Sequence, residues 1–463
     1  LAVYSMDTNA AFKLPWIILI TVAPIVGICV FFLFGRSGAT KKVRARYRKI
    51  DQQLFAYLNQ DEQIIEELSK KDERLANDFK YLWKCASSPV YKNTDVKYYG
   101  DTCDAMAAQL EDMMQAKKFI FLEYHAIEMA ESFQALRKVL MAKAREGVEI
   151  RILYDDAGCI GFLNPRFIKY MESMGIQCRV FNPIMPVLNI FMNNRDHRKI
   201  TVIDGKVAYT GGYNLADEYF NITHPYGQWK DSGIRFEGDA VQTATILFLE
   251  MWNALREQDV DIEKYLPVYP YKAKEQGFFA LYGDSPLDKE PAGENVYMNL
   301  LRHAKKYIYF TTPYLILSDE MTRELTGAAK RGVDVRIITP GIPDKKLVYN
   351  VTRSFYHELV KDGVRIYEWT PGFCHAKMSV ADDCMATCGT INLDYRSLYH
   401  HFENGCFMAD CQAVVEIKND LIRTMGECRD VTDQYSETTF QKIVDFERSF
   451  LLCLIAGTGN LHG

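Results

Sequence analysis

Two short stretches of this 463-residue chain carry the same reactive side chains in the same order. The first presents His197, Lys199, Asp204, Gly211 and Asn214, and the second presents His375, Lys377, Asp382, Gly389 and Asn392. Each member of the second set stands 178 residues after its counterpart, from 197 and 375 through 214 and 392. A single His-x-Lys-x4-Asp string arises by chance in such a chain with a probability of roughly a few per cent. Two copies with glycine and asparagine in step downstream are a far stronger signal.

The spacing has a chemical reading. His197 and Lys199 are two apart on a β-patterned run and share one face, as do His375 and Lys377. Asp204-Gly205 is a turn signal, so the chain returns as a hairpin towards Gly211. Gly211-Gly212 would admit a ligand close to the backbone, and Asn214 and Asn392 would donate hydrogen bonds to it. If the two copies face each other, two histidines and two lysines share a pocket suited to a phosphate diester. Lysines and asparagines would hold the non-bridging oxygens, one histidine would attack phosphorus, and the other would protonate the leaving oxygen. Asp204 and Asp382 complete the motif, but their place at the turn predicts backbone hydrogen bonding rather than proton transfer. His125, His224, His303, His357, His400, His401 and His462 have no duplicated partners and are expected to be structural.

The elements that must position these groups are duplicated as well. Residues 117–122 and 145–153 read as strands flanking a helix that ends at Gly147, and 305–310 and 330–338 repeat this around Gly332. The copies lie too far apart for a solenoid, so the fold class is α/β, with two homologous halves packed face to face. The halves are expected over 96–280 and 281–463, with a polar, proline- and glycine-bearing linker region near Gly283 to Gly293. Before them, residues 50–95 read as a helical connector in which Leu54, Tyr57, Leu58, Ile65 and Leu68 follow a helical period.

Residues 1–49 read as a membrane anchor with a basic juxtamembrane segment. Positions 14–34 carry no charge, and about 31 Å of helix would match the hydrocarbon core, so a transmembrane helix is expected there with a kink at Pro24. Arg36, Lys41, Lys42, Arg44, Arg46, Arg48 and Lys49 follow, which places the body on the cytoplasmic side and offers a surface for anionic headgroups. The chain opens on Leu1 rather than Met, which leaves room for a preceding membrane segment. The apolar stretch 181–192 reads equally as a segment dipping into the bilayer or as a buried loop, and 450–456 is too short to span.

Composition closes off other classes. A net charge of −5 offers no global attraction for nucleic acid, and no nucleic-acid partner is expected. The twelve cysteines lack the paired short spacings of a zinc site and read as free thiols in a reducing compartment.

The paired motif resembles the HKD signature of the phospholipase D superfamily over about residues 100–430. That resemblance implies a phosphohistidine intermediate with no metal or other cofactor. It also implies His197 as nucleophile and His375 as general acid, an order that rests on the family and leaves the exchange of roles open. Trp229-Lys230-Asp231 and Phe402-Glu403 match the family's downstream acidic positions, which would set Asp231 to orient His197 and Glu403 to orient His375. Within the superfamily, Thr312-Pro313-Tyr314, the stretch 389–397 and the apolar-then-basic start resemble bacterial cardiolipin synthases. Those enzymes condense two phosphatidylglycerols into cardiolipin and glycerol. The implied protein is therefore a phosphatidyltransferase of the bacterial cell membrane with phospholipid partners, phosphatidylglycerol foremost. The alternatives are a phospholipase D-type hydrolase, another phosphatidyltransferase such as a phosphatidylserine synthase, or a catalytically silent lipid-binding protein. Cardiolipin synthases generally carry two membrane segments where one is visible here, and the tail 457–463 has no counterpart in the resemblance. Oligomeric state is left open.

Overall fold

Short strands with apolar residues on both faces alternate with helices that are apolar on one face, the pattern of a sheet covered on each side. The computed structural model of the chain describes residues 3–4, 10–32, 41–163, 166–183, 194–256 and 258–436. Its first sheet runs, in spatial order, Thr94–Tyr99, Gly233–Gly238, Val207–Gly211, Lys199–Ile203, Phe119–Tyr124, Glu149–Asp155 and Gln177–Phe181. The second repeats that order as Phe278–Asp284, His401–Ala409, Met385–Gly389, Met378–Ala381, Tyr307–Thr311, Asp334–Pro340 and Arg365–Trp369. Cys428–Asp430 adds one strand to its edge.

The corresponding crossovers are alike. Helices Glu131–Arg145 and Asp319–Lys330 link parallel strands, and each gives way to a glycine in the left-handed region, Gly147 at φ 87° and Gly332 at φ 90°. The motif hairpins turn through Asp204 and Gly205 at φ 54° and 68°, and through Asp382 and Asp383 at φ 50° and 63°. Two consecutive positive φ angles match the right-handed twist of the flanking strands.

Each sheet feeds two cores. Ile120, Leu122 and Tyr124 face a core built mainly from the first half, with Phe373 joining it, while Phe119 and Phe121 of the same strand face a core built from both halves. In the second half Ile308 and Phe310 face outward to their own core, and Tyr307 and Tyr309 face the shared one. The helix Val241–Leu255 is buried all round within that shared layer, as its apolar circumference demands. Phe236 and Phe279 meet across the seam at 5.0 Å between ring centroids.

Three expectations about organisation change. The strand Phe278–Asp284 pairs along its length with His401–Ala409, and Gly293 lies inside the helix Ala292–His303. The crossing between halves therefore falls ahead of Phe278, in 266–277, and not near Gly283 to Gly293. The helical connector stops short of residue 95, since the strand Thr94–Tyr99 begins inside it, and Leu68, Leu75, Phe79 and Leu82 of helices Glu62–Lys71 and Glu73–Ala86 enter the second half's core. The third change concerns the amino-terminal run.

A single helix over 14–34 does not form. Helices Ala10–Val22 and Pro24–Val30 take its place and fold back on each other, with Trp16 and Phe31 ring centroids 5.5 Å apart. A Cβ on Gly27 would stand 2.7 Å from the Ile20 Cα, so glycine permits this approach. Pro24 explains the break: it lacks an N–H, disfavours helix at Ala23 (φ −134°, ψ 76°), and starts the second helix instead. Among the described residues no helix is long and apolar enough to cross a membrane. Positions 33 and 34, most of the apolar stretch 181–192, and the segments 450–456 and 457–463 lie outside the described residues. The described cysteines are all free thiols.

Candidate active site

Two short interstrand ladders tie the halves together, and they decide which side chains meet. Arg195–Asp196 runs parallel to the start of His401–Ala409, with His401 opposite Arg195 and Phe402 opposite Asp196. The His197 N–H then donates to the Phe402 carbonyl at 2.9 Å. At the other ladder Gln228–Lys230 runs parallel to Gly372–Cys374, with Lys230 opposite Cys374, and the His375 N–H donates to the Lys230 carbonyl at 2.7 Å. One residue further along each ladder, Glu403 arrives beside His197 and Asp231 beside His375.

The carboxylate pairing is therefore the reverse of the one implied by sequence. His197 Nδ1 lies 2.9 and 3.0 Å from the two Glu403 oxygens, and His375 Nδ1 lies 2.6 Å from Asp231 Oδ2. Each half supplies the acid that holds the other half's histidine. Glu403 is fixed in turn by Ser397, whose hydroxyl donates at 2.5 Å, and by the Thr390 hydroxyl. Asp231 accepts the Ser232 N–H at 2.9 Å. A Cβ on Gly212 would fall 2.1 Å from Asp231 Oδ1, so this glycine makes room for the carboxylate rather than for a ligand.

Both lysines are buried with the histidines. Lys199 Nζ donates to the His197 carbonyl at 2.8 Å. Lys377 Nζ lies 2.8 and 3.0 Å from the two ring nitrogens of His375 and also donates to its carbonyl. Burial and the neighbouring Lys199, His125, His401 and Lys377 hold His197 well below its ordinary value. Burial and Lys377 bring His375 down to about 4, against the opposing pull of Asp231. Burial likewise lowers Lys199 to about 7 and Lys377 to about 8. Lys377 acts on His197 and Lys199 acts on His375, so the four groups from the two halves share one electrostatic site.

The carboxyls differ. Burial pushes Asp231 up, yet His375 and Lys377 outweigh it and hold the group below the usual carboxylate range. Burial pushes Glu403 well above its ordinary value despite Lys199, Ser397 and Thr390. Both carboxyls face the Nδ1 of their histidine, Asp231 held below and Glu403 above its ordinary value.

Four residues of the motifs lie outside this centre, the two aspartates as their turn positions lead one to expect and the two asparagines against expectation. Asp204 takes the N–H groups of Lys117, Lys118 and Phe119 at 2.8, 2.7 and 2.9 Å. Asp382 does the same for Lys305, Lys306 and Tyr307 at 2.6, 2.9 and 2.9 Å. Both anchor a central strand at the end away from the histidines. Asn214 accepts the Ala126 N–H at 3.1 Å and donates to the Tyr219 hydroxyl at 2.9 Å, and the Tyr219 ring stands edge-on to His375 at 5.3 Å. It braces an aromatic wall and is not free for phosphate. The Asn392 N–H donates to Ser397 at 2.8 Å, and its side-chain oxygen is buried without a partner.

A family model described as cardiolipin synthase, PLD-like domain, matches residues 110–252 and 297–425, more than half of the chain. The chain belongs to the phospholipase D-like family of cardiolipin synthases. This family member is 31% identical over 411 residues to a cardiolipin synthase of Halalkalibacterium halodurans, covering 88% of this chain and 82% of that one. It is 41% identical over 437 residues to an uncharacterized protein of Streptococcus mutans, covering 94% and 93% of the two chains. The crystal structure of phosphatidylserine synthase from Haemophilus influenzae superposes with a TM-score of 0.59 at 13% identity, over 78% of this chain and 95% of that one. That likeness is one of fold.

In this phospholipase D-like chain the site also gathers residues that sequence reasoning passed over. The His125 ring lies 5.0 Å from His197 and its Nδ1 is 2.8 Å from the Asp196 carbonyl, while the His401 ring lies 5.8 Å from His197. Burial, with Lys199, lowers His125 to about 3, and burial with Arg396 holds His401 well below its ordinary value. Neither is duplicated, so a comparison of the two motifs does not single them out. A usable signal was present: His125 follows the central strand Phe119–Tyr124, and His401 precedes Glu403 by two residues on one strand face. Trp229 and Phe373 close around His375 at 5.2 and 5.8 Å, brought there by the ladder between halves. Among the described residues no group of three or more His, Cys, Asp or Glu side chains is arranged to hold a metal ion.

Proposed function

We propose that this chain is a cardiolipin synthase that moves a phosphatidyl group from one phosphatidylglycerol to another, releasing glycerol. The observation that carries the reading is the centre itself: two motif histidines, each held through Nδ1 by a carboxyl of the opposite half, beside two buried lysines. His197 is neutral at physiological pH, and with Nδ1 turned to Glu403 its Nε2 is free to attack phosphorus. The ammonium groups of Lys199 and Lys377 lie where they can take the non-bridging oxygens.

His375 is the acid of the first step. Lys377 leans on its ring and, with burial, keeps it neutral. An arriving phosphate draws that ammonium away and adds negative charge, so His375 gains a proton that ionised Asp231 stabilises. The P–O bond to glycerol then breaks as the leaving oxygen takes the proton from His375. In the second step the hydroxyl of another phosphatidylglycerol attacks the phosphorus, the bond to His197 breaks, and the hydroxyl proton passes to His375.

Lipid reaches the site from a membrane surface. Leu14, Ile18, Val22, Ile25 and Val26 are exposed on the amino-terminal helix pair. Lys42, Arg48 and Lys49 point outward from the helix Lys41–Leu54, whose Tyr47, Ile50 and Leu54 are buried against the body. An apolar surface next to a basic one suits the anionic cytoplasmic leaflet of a bacterial membrane.

The test is a product assay with phosphatidylglycerol as the only lipid, read by mass spectrometry. Cardiolipin with matching glycerol release, lost in His197→Ala, is the expected result. Phosphatidic acid alone would make the protein a hydrolase and end the synthase reading.

A further inference from the structure

The row of side chains that carries His197 continues past it. Arg195 and His197 are two apart, as are His401 and Glu403 on the paired strand, so all four project to one face. Glu403 serves His197; one step back, about 7 Å along the strand, stand Arg195 and His401. Arg195 is committed to Asp155 at 3.4 Å and to the Asn182 carbonyl at 2.9 Å. His401 is not: its Nδ1 is buried with no hydrogen-bond partner.

Arg396 lies beside this row, in the short helix Tyr395–His400 that leads into the strand. Its neighbour Asp394 accepts the N–H groups of Arg396 and Ser397 at 2.9 and 3.2 Å, not the guanidinium. Among the described residues that guanidinium has no hydrogen bond and no ion pair, although it is half-buried. Its charge reaches both His400 and His401, and Arg195 adds to it, with Asp394 and Asp155 as the opposing charges. An unpaired cation in such surroundings is costly unless an anion joins it.

We infer that Arg396, with His401, binds the phosphodiester of the acceptor phosphatidylglycerol, a second anionic site next to the one at His197. This rests on the synthase reading above. The acceptor needs such a site because it carries its own phosphate, separated from its reacting hydroxyl by one three-carbon glycerol. With the phosphatidyl group on His197 Nε2, that glycerol bridges the two positions. Its terminal oxygen attacks phosphorus, the P–N bond breaks, the hydroxyl proton goes to His375, and the acceptor phosphate rests against Arg396. Free glycerol as acceptor fills the same bridge without reaching the guanidinium.

Two reactions of one enzyme therefore separate the sites. Full-length protein in phosphatidylglycerol liposomes would be given isotopically labelled glycerol, and cardiolipin formation and label exchange into phosphatidylglycerol followed together. In Arg396→Gln the ratio of cardiolipin to exchange is expected to fall about tenfold or more, as for a lost charge-assisted contact, with Arg396→Lys between it and the unmodified protein. Should the glutamine variant fail to fold, His401→Gln carries the same expectation of a selective fall. An unchanged ratio, or equal loss of both reactions in a folded variant, overturns the acceptor site alone. Unmodified protein that exchanges glycerol but makes no cardiolipin overturns the synthase reading and this inference with it.

Discussion

A histidine buried beside lysines stays neutral near pH 7, and the different acids behind His197 and His375 divide their roles. Asp231 is held below the usual carboxylate range and can stabilise an imidazolium, whereas Glu403, accepting from Ser397 and Thr390 and raised by burial, chiefly orients its ring. Asp231→Asn is therefore expected to lower kcat about a hundredfold or more. Glu403→Gln, which keeps an amide oxygen to hold the ring, should cost at least about tenfold less, and equal or inverted losses in steady-state kinetics would contradict the assignment. The lysines set the alkaline limb. Burial brings Lys199 down to about 7 and Lys377 to about 8, so kcat/KM should decline above that range as their positive charge is lost. Bound phosphate stabilises both ammonium groups, so kcat should persist to higher pH. A kcat/KM that climbs from pH 7 to 9 would rule this out. The linked effect on stability has the opposite sense. Between the folded values and the ordinary lysine value of 10.5 the unfolded chain binds more protons, so stability rises with pH across that window.

At the scale of elements, the motif aspartates are fasteners. Three backbone N–H groups at the start of Phe119–Tyr124 converge on Asp204, and three at the start of Tyr307–Thr311 converge on Asp382. Each carboxylate docks a motif hairpin onto the strand beside it. Asparagine tolerates the left-handed backbone that both positions adopt, so Asp204→Asn removes charge and one acceptor without changing the turn. A loss of about 1–3 kcal/mol is expected, read as a lower midpoint in denaturant. Activity per folded molecule should stay within a few-fold. A variant of unchanged stability that had lost turnover would return Asp204 to the chemistry.

At the scale of the molecule, neither half owns a complete centre. His197 depends on Glu403 and His375 on Asp231, and the ladders that bring them together cross between halves. The shared core joins them as well. A chain cut within 266–277, ahead of the strand Phe278–Asp284, should yield two fragments that are inactive apart and active when refolded together. Size-exclusion chromatography and the cardiolipin assay would check this. Activity in either fragment alone would mean that a single half suffices.

The sequence by itself determined the duplication, the α/β class, the family, and the histidine–lysine pairs, because these depend on residue type and on spacing along one strand. It also placed Asp204 and Asp382 at turns, since a turn is a local matter. It did not determine which acid serves which histidine, because Asp231 and Glu403 reach their partners through pairing between segments more than 140 residues apart, a register that only packing sets. For the same reason His125 and His401 were invisible: they join the site by position on a sheet face, without any repeated motif. The amino-terminal run shows the same division. Its apolarity was legible from 14 to 34 and Pro24 marked a place to break, but the folding back of the two helices was decided by tertiary contact, where Trp16 meets Phe31. Local chemistry is written in the order of residues, and the meeting of distant residues is written only in how the halves pack.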